Sequence, residues 1–335
     1  MPTTPPSRRT MITALVLIPL IAAAVLCLFA WPAARTAPRD VPIGLAGTPA
    51  ATAGLQQKLD RQGSAFEVHR YADDAAARAA IKHRDVYGAV VVTAQGPHLL
   101  TASAASPVVA QLLQKAAAEL APAGSTAIPV ADVVSPPAAD PRGTALTSSI
   151  LPLAMAGMAA GVIVTLFRLR GIRAAAVLVA ASALVGLAAA AVTDSWLGVF
   201  AGSWWAEAGV LGLAVLSIGA LVAGLAALLG TRGIGIGALL TMLVGNAFSG
   251  AGSAPQLLPE PAGMIGQLLP PGAAATLLRS VAYFDSSAAL VPALTLGAWA
   301  VLGLAGVMVG GMRARRAAAT ASGTPAQTPQ LEPVG

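Results

Sequence analysis

The side chains best suited to chemistry are sparse in this chain: three histidines, His69, His83 and His98, one cysteine, Cys27, and fourteen acidic residues in 335. A metallohydrolase of the HExxH kind needs two imidazoles one helical turn apart with a glutamate between them. Here the histidines fall on separate segments without an acidic partner at such a spacing, so each reads as a surface imidazole. The lone Cys27 excludes an intramolecular disulfide. It sits in an apolar run behind Leu26, where a lipoprotein signal would carry a small residue, and reads as a buried membrane thiol. There is no GxSxG nucleophile elbow, no GxxxxGK[ST] phosphate loop and no paired-carboxylate arrangement. The glycines of GIGIG at 233–237 follow a short turn with no strand before them and open an apolar segment, so they are no dinucleotide fingerprint. The expectation is a protein that is not an enzyme and has no metal site or cofactor.

The polar groups that remain are single residues in apolar surroundings, and the elements that hold them must therefore be membrane helices. Apolar residues make up 56% of the chain and charged ones only 10%, against about 25% charged in soluble domains, and the mean hydropathy is +0.75. Six uncharged windows approach the roughly twenty residues that cross a bilayer: 11–30, 146–167, 174–193, 208–230, 233–251 and 288–311. Window 11–30 exceeds a signal-peptide core of about 7–15 residues and reads as an uncleaved first helix. The flanking bases alternate as the positive-inside rule requires. Arg8 and Arg9, then Arg168, Arg170 and Arg173, then Arg232, then Arg313, Arg315 and Arg316 share one side with Glu332 as the sole acid. Loops 194–207 and 252–287 carry Asp194, Glu207, Glu260 and Asp285 against Arg279 alone.

Both termini are thus expected in the cytoplasm of a bacterial plasma (inner) membrane protein, with 1–10 an amino-terminal segment and 313–335 a disordered tail. Trp196, Trp204 and Trp205 read as interfacial anchors. Recurring glycines such as Gly212, Gly219 and Gly224 read as helix-packing positions. No ionisable residue falls inside the six windows, which argues against an ion-coupled carrier. Asn246 is the one strong amide there, for packing or for a pathway.

Between the first two windows, residues 31–145 hold nine of the acids and ten of the bases, and the apolar pattern shortens to alternating strands and amphipathic helices. Strands are expected at 41–46, 65–71, 86–93, 98–102 and 128–134, and helices at 49–62, 73–84 and 106–120. Asp73 and Asp74 suit the positive start of the second helix, and Lys82, His83 and Arg84 its negative end. Gly124 and prolines 136, 137 and 141 mark the exit. The fold class is a six-helix polytopic membrane protein with an extracytoplasmic α/β (α+β) domain between helices 1 and 2 and a five-helix bundle over 146–312. The net charge of +6 follows from topology and implies no nucleic acid.

Five prolines break segment 252–287, yet it is too apolar for a solvated loop, so it reads as a re-entrant or interfacial hairpin. Its turn is expected at Pro270, Pro271 and Gly272. A short helix over 273–284 would turn Leu277, Leu278, Val281 and Phe284 to lipid or protein. Arg279 and Tyr283 would reach headgroups, with Asp285 a partner for Arg279.

Two segments carry a resemblance. DDAAARAAIKHRDVYGAVVVT at 73–93 resembles the extracytoplasmic domain of the type-2 ABC exporter permease superfamily, particularly its branch similar to the YhgE/Pip phage-infection proteins. GNAFSGAGSAPQLLPEPAGMIGQLLPPGAAATLLRSVAYFD at 245–285 resembles the segment joining the last two spans of that superfamily. The resemblance implies a permease working as a homo- or heterodimer of six-span halves in the lipid bilayer, driven by a separate cytoplasmic ABC ATPase subunit and moving a hydrophobic or amphipathic substrate. It also implies an outer gate in the hairpin region, with Asn246, Pro270, Pro271, Gly272, Arg279 and Tyr283 as its residues here; the residues themselves equally suit a structural plug that seals the bundle. Arg168, Arg170 and Arg173 are then the candidates for cytoplasmic docking. The chain departs from the pattern in its short segment before the first window and in an inner loop little longer than RLRGIR. The other expectation, from a different class, is a non-transporting surface or scaffold protein whose outer domain binds envelope, phage or secretion partners.

Overall fold

The computed structural model describes residues 7–61, 63–120 and 128–322. Gly124, Glu332 and the end of the tail therefore lie outside the described residues. The chain opens with α1 (Arg8–Ala34), which runs into a small α/β domain. The domain follows the expected alternation closely: β1 (Val41–Ala46), α2 (Pro49–Asp60), β2 (Phe66–Tyr71), α3 (Asp74–His83), β3 (Gly88–Thr93), β4 (Gly96–Thr101), α4 (Pro107–Leu120) and β5 (Val130–Asp132). The sheet order is β2-β1-β3-β4-β5. Parallel β1 lies between β2 and β3 because α2 and α3 supply the crossovers that parallel pairing requires. β3 and β4 form an antiparallel hairpin closed by Gly96 at φ 116°, and β5 adds parallel to β4. Asp73 starts α3 by accepting the Ala76 amide at 2.8 Å, which is the cap its sequence suggests.

Five helices are long and apolar enough to cross a membrane: α1, α5 (Thr144–Leu166), α6 (Gly171–Trp196, its last turn π-helical), α7 (Trp204–Leu229) and α11 (Leu290–Ser322). The expected span 233–251 is instead a shorter helix, α8 (Thr231–Gly245), in which eight α-helical residues are followed by seven π-helical ones. The serine- and glycine-rich run from Ser249 stops it, with Gly250 at φ 64°. Helix α11 also continues to Ser322, so the tail expected to be disordered from 313 is helical over its first part.

The bundle is built around α7. Its most apolar stretch is 78% buried, whereas that of α1 is 0% buried. Small residues permit this closeness: a Cβ on Gly157 would stand 2.8 Å from the Val215 carbonyl oxygen, and one on Gly161 2.6 Å from that of Gly219. Gly186 meets α7 at Ala208 and Gly212, and Gly303 of α11 meets it at Ala220. Helix α1 stands apart, touching the bundle where Trp31 packs edge-on against Phe248 at 6.3 Å. Cys27, expected to be buried, is exposed on α1.

Segment 252–287 joins the domain to the bundle. It contains α9 (Ala262–Leu268) and α10 (Pro270–Tyr283). The expected turn at Pro270, Pro271 and Gly272 is the first turn of α10 instead, because proline lacks only an amide that a helix start leaves unbonded in any case. The reversal falls one residue earlier, at Leu269, which is extended at φ −98° and ψ 151°. Ala254 and Leu257 pack with Val41, Leu99 and Val109 of the domain, and Phe284 with Ile81 and Val86. The amides of Ala37 and Arg39 donate to the carbonyls of Leu257 and Gln256, both at 3.1 Å.

Candidate functional site

The densest set of polar side chains lies where α10 meets the domain. Arg279 is 6% exposed, and Asp285, expected as its partner, does not pair with it. Its Nη2 donates to the Ala251 carbonyl at 2.8 Å, and among the described residues no carboxylate oxygen stands within 4.0 Å of it. Burial lowers its pKa from the ordinary arginine value. Arg84 approaches from the domain. It ends α3 in the left-handed conformation, φ 65°, so the side chain leaves the helix axis instead of lying along it. Its Nη1 donates to the Thr276 carbonyl at 3.1 Å and to the Ser280 hydroxyl, and its guanidinium stands 5.3 Å from the centre of the Phe284 ring.

Burial, and then the charge of Arg279, push the Arg84 pKa down to about 10. The Tyr87 hydroxyl donates to Gln256 Oε1 at 2.9 Å. The Gln267 amide donates to the Ser249 carbonyl at 2.9 Å and accepts the Thr276 hydroxyl at 2.6 Å. Together these groups wall a cavity of about 240 Å³ that no acidic side chain lines. On the other side of Arg279, Arg142 and Tyr283 line a second cavity, of about 290 Å³. Tyr283 is half-buried and donates to the Val199 carbonyl at 3.2 Å, so it too is tied inside the protein.

Of the expected gate residues, Pro270, Pro271 and Gly272 are buried against the bundle and α9, and a side chain on Gly272 would collide with the Gly266 carbonyl. Asn246 lies elsewhere. It lines a cleft of about 640 Å³ between α1, α5 and the turns that follow α8. The cleft is lined by apolar side chains, among them Phe29, Ile150 and Leu151, and by polar ones, among them Asn246, Ser148 and Ser253.

At the opposite end of the bundle, Arg168 and Arg170 line a cleft of about 220 Å³ with Ala226 and Gly311. Arg168 leaves α5 at φ 53°, Arg170 precedes the first turn of α6, and Arg173 lies in that turn, all three exposed. Cations at a helix start oppose its dipole. These arginines therefore add nothing to α6 itself and are available to an anionic or acidic surface.

Two further features were not legible in the sequence. Glu207, assigned to a loop, lies in the first turn of α7 with 0% exposure, and its Oε1 accepts the Gly202 amide at 2.9 Å. Its Oε2 has no partner. His98, read as a lone surface imidazole, stands 2.7 Å from Asp74, because β4 passes the start of α3. Among the described residues no three His, Cys, Asp or Glu side chains converge as a metal site would require. No family model matches the chain, and neither a curated protein nor a solved structure matches it.

Proposed function

We propose that the protein is a permease-like membrane subunit of a bacterial ABC-type export system, moving a hydrophobic or amphipathic substrate with energy from a separate ATPase. One observation carries this reading: the cleft between α1 and α5, lined both by apolar residues such as Phe29, Ile150 and Leu151 and by the polar Asn246, Ser148 and Ser253. A molecule with a hydrocarbon part and a polar head would be solvated there on both counts. Helix α1, unpacked along its apolar length, is the movable wall. Alternating access would open and close this cleft.

On this reading α8 is a sixth span, the α/β domain is extracytoplasmic and both termini are cytoplasmic. Arg168, Arg170 and Arg173 then face the ATPase. The unpacked face of α1 is where a second permease half would sit. The sequence resemblance over 73–93 and 245–285 supports the same assignment.

The test is a crosslinked, mild-detergent pull-down from the native membrane, read by mass spectrometry. A Walker-type ATPase should be recovered with the unaltered chain and lost with Arg168→Ala, Arg170→Ala and Arg173→Ala combined. Recovery of envelope or secretion proteins without any ATPase would overturn the exporter reading in favour of a surface scaffold. The observation that favours that second reading is the fusion of domain and hairpin into shared apolar cores through Leu257 and Phe284, a rigid mount for a binding domain.

A further inference from the structure

We propose that the cavity between Arg84 and Arg279 is a binding site for a doubly charged phosphate group, either free or as the monoester headgroup of a lipid. The inference is independent of transport, since it concerns only what balances two guanidinium groups.

Arginine presents five N–H donors in a planar fork and stays charged. Arg279, 94% removed from solvent, makes one hydrogen bond among the described residues, through Nη2 to a backbone carbonyl. Arg84 uses Nη1 alone, for a carbonyl and a hydroxyl. Among the described residues Nε and Nη1 of Arg279, and Nε and Nη2 of Arg84, thus have no acceptor, although both side chains line the same cavity. Buried charges are ordinarily paired because an unpaired one is costly. Here no Asp or Glu lines the cavity, and no carboxylate reaches either arginine within 4.0 Å among the described residues.

Burial first, and then the charge of Arg279, lower the proton affinity of Arg84. A bound anion would reverse that effect. The available space, about 240 Å³, is far above the roughly 10–15 Å³ that admits one water. A carboxylate would leave one positive charge over. A phosphate monoester, with a charge of about −1.5 to −2 near neutrality, neutralises both and offers oxygens for bidentate contact with each fork. The two arginines come from different units, Arg84 from the domain and Arg279 from the hairpin, so an occupant would also tie these units together.

The full chain, in nanodiscs of phosphatidylcholine alone, is titrated with inorganic phosphate against chloride at constant ionic strength, following thermal unfolding and heat of binding. A parallel series replaces part of the lipid with phosphatidic acid, or with phosphatidylglycerol as the singly charged control. The site predicts a rise in unfolding temperature with phosphate or with phosphatidic acid exceeding that with phosphatidylglycerol. The first outcome identifies a free anion and the second a headgroup. Arg84→Gln should weaken binding at least tenfold, whereas Arg61→Gln, on an exposed helix end, should leave it unchanged. Because Arg279→Gln disturbs a buried position, Arg84→Lys serves as the second variant and should restore part of the affinity. Absence of stabilisation by either phosphate source, or binding that survives Arg84→Gln, overturns the proposal.

Discussion

Asp140 shows how a single side chain positions a whole helix. The residue before α5 is Gly143, which has no side chain to cap it. Asp140 does so from three residues earlier, accepting the Ala145 amide at 2.6 Å and the Thr144 hydroxyl at 3.1 Å. Replacing Asp140 by Ala should therefore lower stability by about 1–2 kcal/mol, and Asp140→Asn by less, in thermal unfolding of the detergent-solubilised chain. Asp74 gives a pH prediction. Its hydrogen bond from Arg78, then that from His98, hold its pKa below the ordinary 3.8. A depressed carboxyl stabilises the fold above its unfolded value, and that contribution is lost as the pH falls through the lower folded value. Acid unfolding of the domain, followed by circular dichroism below about pH 4, should thus be less steep in pH for Asp74→Asn. The capping role of Asp73 was readable from its place before an amphipathic run, but the His98 contact was not. His98 and Asp74 are 24 residues apart, and only the parallel crossover through α3 and the β3–β4 hairpin brings them together.

Among the elements, the hairpin of α9 and α10 has the most demanding packing. A Cβ on Gly266 would fall onto the Phe248 carbonyl oxygen, and one on Gly263 would meet the Pro255 carbonyl. Gly266→Ala should hence force α9 away from the end of α8, and limited proteolysis should cut between 250 and 270 in the variant far faster than in the unaltered protein. Phe284 ends α10 at 3% exposure inside the apolar core of the domain. Phe284→Ala should cost about 3–5 kcal/mol and release the domain from the bundle, seen as an early domain transition in calorimetry. The proline content of 252–287 pointed to a broken apolar segment, and the two short helices α9 and α10 stand there. The face presented by α10 could not be deduced, because the buried residues Leu277, Leu278, Arg279, Ser280, Val281 and Ala282 go all the way round the helix. Their burial requires protein on every side, and the domain, α7 and α9 supply it.

For the molecule as a whole, topology turns on α8. Fifteen residues rise about 22 Å, short of the roughly 30 Å of hydrocarbon. If α8 and the turn after it complete a sixth crossing, Ser7→Cys and Thr320→Cys, each in a Cys27→Ala background, should label with an impermeant maleimide from one side, and Asp60→Cys from the other. Labelling of positions 7 and 320 from opposite sides would establish an odd number of crossings. Sequence alone determined what depends on local composition and period. Five long apolar helices fall where five of the uncharged windows do, and the strands and helices of the α/β domain fall within a few residues of their expected bounds, since solvent transfer and period-two or period-3.6 patterning act over short stretches. Tertiary structure decided what depends on approach between distant segments. It made α7 the buried centre through glycine contacts on α5, α6 and α11, left α1 to the side, and drew Glu207 under the Gly202 amide. It also placed Arg84 and Arg279, 195 positions apart, on one cavity without a carboxylate. No local rule encodes that meeting, because the energy of a buried charge depends on every group around it, and those groups arrive only when the chain has closed.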